Sequence, residues 1–155
     1  MGYYVQLTDS TVKIPAAHLG RAFEALKRLN ENDDLKTSSN SAGEKVFAGM
    51  PADYHKTAES ALEILDLVGY ECRYDKDMNL LIEYYDNKAR CEDVFVQALA
   101  PFIPDDQYLD WRGEDGSLYR FVFRDKKMYL YNSEVTFIDA GEYQPITVSM
   151  FSTWL

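Results

Sequence analysis

Apolar and polar residues alternate from Tyr3 to Ile14 in YYVQLTDSTVKI around a polar centre, a period of two that predicts an edge strand or a bent strand. From Pro15 the period changes. Leu19, Phe23, Leu26 and Leu29 recur at helical spacing beside Ala22 and Ala25, predicting a first helix that ends near Asn30. The small polar residues of 31–45 read as a surface loop, with Val46 and Phe47 as a short strand after it. Asp53 is positioned to cap a second helix whose Ala58, Ala61, Leu62, Leu65 and Val68 share a face and which Gly69 terminates. Residues 70–86 alternate on both sides of DKDMN and predict a hairpin. Asn87 is placed to cap a third helix, in which Cys91, Val94, Phe95, Ala98, Leu99 and Phe102 form an apolar stripe that Pro101 and Pro104 end. Three strand candidates follow at 107–112, 117–124 and 127–138, joined by GEDG and DKK turns.

The order β-α-α-β-β-α-β-β-β, with strands mostly in hairpins, predicts an α+β fold: a mostly antiparallel sheet with about three helices packed on one face. Residues 1–155 read as one domain. Its C-terminal part, 144–155, holds the alternating ITVSMFSTWL, a strand-like tail expected to pair with a sheet or pack in a groove; the partner sheet belongs to the same chain or to a second copy, the latter giving a homodimer by exchange of the tail.

Charge narrows the choice of partner. Lys and Arg number 16 against 26 Asp and Glu, a net charge of −10, which argues against direct binding to nucleic acid or to anionic membranes. The excess is uneven: residues 1–68 carry a net −3 and residues 69–155 a net −7, so the C-terminal part is the candidate docking face for a basic protein surface. No apolar run approaches a membrane span, and the N-terminal residues lack the basic and apolar regions of a signal peptide. Cys72 and Cys91 fit neither a zinc motif nor a disulfide framework. A reduced, cytoplasmic protein is the expectation.

The densest chemistry lies in DWRGEDGSLYRFVF, 110–123. Alternation sends Tyr119, Phe121 and Phe123 to one side, toward the core, and Leu118, Arg120, Val122 and Arg124 to the other. Asp115-Gly116 is a turn signal. Two uses of the polar residues follow. Asp105, Asp106, Asp110, Glu114 and Asp115 are the partner-docking candidates, whereas Arg112, Arg120 and Arg124 would grip the anion of a small molecule or nucleotide signal, bound or hydrolysed, near Tyr119 or Tyr129. Nearby acids can also neutralise those arginines across the strands. DKDMNLLIEYYD places Asp75, Asp77, Asn79, Glu83 and Asp86 at calcium-loop positions, but Leu80 stands where the loop needs Gly. With His18 and His55 the only histidines and no nucleotide-binding fingerprint, neither a metal nor a cofactor is expected, and no catalytic residue is assigned.

MGYYVQLTDSTVKIP at the start and ALAPFIPDDQYLDWRGEDGSLYRFVF at 98–123 resemble a family of small uncharacterised proteins of bacteriophages, prophages and their bacterial hosts. The likeness covers most of the chain, and the extension beyond Ile138 departs from the shorter pattern of that family. It supplies no catalytic or binding residues. It implies a mobile-element origin and a bias toward small proteins that bind host machinery, including inhibitors of defence systems. The expectation is a non-enzymatic, phage-encoded interaction protein that docks on a host nucleic-acid-handling or defence complex.

Overall fold

The computed structural model describes residues 2–145 and divides the N-terminal alternation into two strands, β1 (Tyr4–Ser10) and β2 (Lys13–Ile14). The chain bends between them. The register of β1 against residues 107–113 shifts between Leu7 and Asp9, so Thr8 is a bulge. That bend lets one segment serve two sheets, and of the two expected roles it is the bent strand that forms.

The helix expected after Pro15 is α1 (Leu19–Arg28), with a 3₁₀ turn at each end. It buries Ala22 and Leu26, as the apolar stripe requires. The expected loop at 31–45 instead contains a 3₁₀ turn and a small ribbon of β3 (Ser38–Ser39) and β4 (Lys45–Val46). The second helix is shorter and starts later than its stripe suggests. Asp53 makes no side-chain cap and precedes only the single turn α2 (Tyr54–Thr57), after which Ala58 is extended. Ser60 is the working cap: its Oγ accepts from the Glu63 amide, opening α3 (Ala61–Val68), which Gly69 closes with φ +122°. Ser-x-x-Glu at 60–63 is the residue pattern of a helix start.

The hairpin expected at 70–86 forms as β5 (Glu71–Tyr74) and β6 (Leu80–Tyr84). Asn87 does not cap a helix. It lies in β7 (Asp86–Lys88), paired with β1, and the third apolar stripe begins at α4 (Glu92–Ala98). The meander follows as β8 (Gln107–Gly113), β9 (Leu118–Arg124) and β10 (Lys127–Asn132). Its last strand ends at Asn132 and not at Ile138; residues 133–145 hold no helix or strand. Residues 146–155 of the expected tail strand lie outside the described residues.

The result is an α+β fold with antiparallel sheets. A five-stranded sheet runs β10-β9-β8-β1-β7, and a three-stranded one runs β2-β6-β5. The inward face of the larger sheet, Val5, Leu7, Leu109, Trp111, Phe121 and Phe123, joins Leu26, Ile64, Leu65, Phe95 and Val96 of the helices in one buried cluster. Phe95 sits 4.9 Å from Phe47 in edge contact, and losing such a ring costs about 3–5 kcal/mol. Among the described residues no helix is long and apolar enough to cross a membrane.

Candidate functional site

Alternation along β8 and β9 places Tyr108, Asp110, Arg112, Arg120 and Arg124 on the face of the larger sheet opposite the core. The three arginines share that face but do not converge on one point. Arg120 is opposite Asp110 in register and donates to both carboxylate oxygens at 2.5 and 2.9 Å, with its guanidinium 4.1 Å from the centre of the Tyr108 ring. Arg112 donates to Gln6 Oε1 at 2.8 Å. Arg124 lies 4.0 Å from the centre of the Tyr129 ring and donates to the Tyr131 hydroxyl. Each guanidinium thus has a partner within the sheet. A shallow depression of about 360 Å³ lies beside Thr8, Asp110, Arg120 and Tyr131, and a separate one of about 270 Å³ lies beside Gln6, Arg112 and Glu114.

The acids singled out for docking separate into two ends of the β8–β9 hairpin with Asp110 between. At one end Asp105 accepts from the Asp125 amide, and Asp106, at φ +69°, donates its own amide to the Phe123 carbonyl. At the other, Glu114 accepts from the Tyr4 amide at 2.9 Å. Asp115 accepts from the Tyr3 hydroxyl at 2.5 Å and from the Ser117 amide at 3.0 Å. The Tyr3 bond comes first in lowering the Asp115 carboxyl to about 2. With seven residues of β8 between them, the two ends are roughly 20 Å apart. They form no single patch.

DKDMN is a turn by its own chemistry. Asp75 accepts from the amides of Asp77 and Asn79, and Met78 takes φ +65°. Among the described residues no group of three or more His, Cys, Asp or Glu is arranged to hold a metal ion. Cys72 and Cys91 are free thiols, each pushed up to about 12 by burial.

A further concavity was not foreseen. On the core side of the larger sheet, where β9 and β10 run past the start of α4, a groove of about 410 Å³ is lined by Tyr3, Val5, Ala89, Glu92, Asp93, Tyr119, Phe121, Leu130 and Asn132. Its walls are apolar and aromatic. Its charges are both negative, and no Lys or Arg lines it. Glu92 is only 5 % exposed. One carboxylate oxygen accepts from the Arg90 amide at 2.6 Å, yet Glu92 takes part in none of the ion pairs among the described residues. Burial raises its carboxyl above the ordinary range. Burial also pushes the Tyr119 hydroxyl up to about 12, with the Glu92 charge adding to it. Tyr3 reaches the groove because Gly113 has no side chain; a Cβ there would sit 1.7 Å from the Tyr3 hydroxyl oxygen.

These residues come from four separated segments, which explains why no motif announced them. The one local hint is Tyr119, foreseen on the core side but only half-buried. No protein-family model, curated protein or solved structure matches the chain.

Proposed function

We propose that this protein is a non-enzymatic docking module that binds a basic surface of a partner protein. The observation that carries the reading is the surplus of carboxylates without a cation: five ion pairs engage five of the 26 acids among the described residues. Such a surface attracts and orients a cationic partner and repels phosphate backbones. The resemblance to bacteriophage and prophage proteins supports a more specific form. In it the partner belongs to a host nucleic-acid-handling or defence complex, and the acidic protein occupies a basic groove that otherwise holds nucleic acid.

The alternative, an anion-binding or hydrolytic site at Arg112, Arg120 and Arg124, finds less support, because those side chains are engaged with Gln6, Asp110 and Tyr131. Affinity capture from a bacterial host lysate, followed by titration of the captured complex with salt, tests the docking reading. The expected result is a specific protein whose affinity falls steeply as exposed charges are screened. Retention of a phosphate-bearing small molecule, with loss on Arg120→Ala, would favour the anion site instead.

A further inference from the structure

Among the described residues, strand β10 is the last strand of the larger sheet and pairs with β9 alone. The β9–β10 connection is a two-residue turn, Asp125-Lys126, with φ of +53° and +62°. Such a turn makes Arg124 and Lys127 its closing hydrogen-bonded pair. By alternation, Tyr129 and Tyr131 also bond to β9, so the amides and carbonyls of Met128, Leu130 and Asn132 point away from it. The Ser133 amide, which donates to the Leu118 carbonyl, continues the same count.

The residues that offer an unpaired backbone are also those whose side chains turn toward the core side. Leu130 and Asn132 line the groove, and Leu130 is left 60 % exposed there. An open strand edge therefore borders an apolar groove containing a buried carboxylate without an ion-pair partner, a second carboxylate and two tyrosine rings. Each feature calls for a different part of one ligand. The edge fits an extended backbone, Phe121 and Leu130 fit an apolar side chain, and Glu92 and Asp93 beside Tyr3 and Tyr119 fit a cation.

We propose that an extended segment of the basic partner adds to the edge of β10 as a sixth strand and places a Lys or Arg side chain in the groove against Glu92 and Asp93. This rests on the docking reading and gives it a location. Charge selects the occupant: residues 133–155 of this chain, the expected tail strand included, carry Glu134, Asp139 and Glu142 and no Lys or Arg, and so supply no cation for Glu92 and Asp93. A second copy offering the same segment would set acid against acid. A free amine would meet the carboxylates but leave the strand edge unused.

The test uses the full chain, isotope-labelled for NMR, and three end-blocked peptides of about ten residues, long enough to match a strand. One alternates Lys with Val and Thr. The second replaces each Lys by Glu, and the third keeps Lys but carries N-methyl groups on alternate amides. The Lys peptide is expected to shift the amides of Met128, Leu130, Asn132, Glu92 and Asp93. The Glu peptide is expected not to bind, and the N-methylated one to bind at least about tenfold more weakly, since it cannot complete the strand pairing. A Glu92→Gln, Asp93→Asn variant that keeps the wild-type spectrum elsewhere should lose at least about tenfold in affinity for the Lys peptide.

Equal binding of the Lys and Glu peptides, or no binding of the Lys peptide, overturns the proposal. Shifts confined to the Arg120 face or the hairpin ends overturn this location and leave the docking reading standing. A concentration-dependent doubling of mass, with shifts at Met128 to Asn132 that the peptide does not displace, would assign the groove to a second copy. The docking reading itself fails separately, through a salt-independent affinity for the captured partner.

Discussion

Replacing Gly116 by Ala isolates the cost of one backbone conformation. Gly116 ends the turn between β8 and β9 at φ +88°, and its amide donates to the Gly113 carbonyl at 2.9 Å. A Cβ built there meets nothing within 4 Å, so no clash adds to the effect. What remains is the left-handed conformation, which costs an L-residue about 1–2 kcal/mol. Gly20 is the opposite case. It lies inside α1, also with nothing within 4 Å of an added Cβ, and there Ala gains about 0.5–1 kcal/mol from helix propensity. For a chain of 155 residues, 1 kcal/mol moves Tm by roughly 2–4 °C. Thermal unfolding followed by circular dichroism should therefore show Gly116→Ala lower by about 2–8 °C and Gly20→Ala higher by about 1–4 °C, with the double variant close to their sum. Gly116→Val should cost at least as much as Ala. An unchanged or raised Tm for Gly116→Ala would refute the assignment of this segment as a turn that needs positive φ.

Ser60→Ala removes the cap of α3 and should cost about 1 kcal/mol in urea unfolding, whereas Asp53→Ala, with no side-chain cap to lose, should cost far less. A double-mutant cycle on Asp110 and Arg120, both partly exposed, should return about 0.2–1 kcal/mol of coupling that declines with salt. For Glu92, burial raises the folded carboxyl above its ordinary 4.5, so the folded chain binds that proton more tightly than the unfolded chain. Its contribution to stability is then lost as pH rises from 4.5 through the raised value. Glu92→Gln should accordingly gain stability relative to the wild type across that window and hold a constant difference above it, as unfolding at successive pH values will show. Phe137 is 95 % exposed, so Phe137→Ala should leave stability within about 0.5 kcal/mol.

Local signals were legible in the sequence wherever a few neighbouring residues determine the conformation. The GEDG turn rests on Asp115 and Gly116, the end of α3 on Gly69, and the β5–β6 hairpin on Asp75 and Asn79; all lie close together in the chain. The errors have a common cause in distant pairing. Asn87 has the chemistry of a helix cap, but β1 recruits it into a ladder, with Val5 as its partner across more than eighty residues. Ala58 matches the helical stripe, yet the chain becomes extended there and Ser60 restarts the helix. Val135 and Phe137 alternate like strand residues beyond the end of the β9 ladder, which stops at Tyr119 opposite Asn132. The same limit hid the groove. Glu92 reads as an ordinary first-turn acid of a helix until Tyr119, Leu130 and Tyr3 arrive around it from the meander and the N-terminus.

The central claim, charge-driven docking on a basic protein, is tested most directly by the affinity of the captured partner for the full chain from about 0.1 to about 1 M salt, a range over which the screening length falls from ~10 to ~3 Å. The account predicts a steep and continuous loss of affinity, carried mainly by slower association. An affinity that holds constant across the range would contradict it and would assign the interaction to apolar contact.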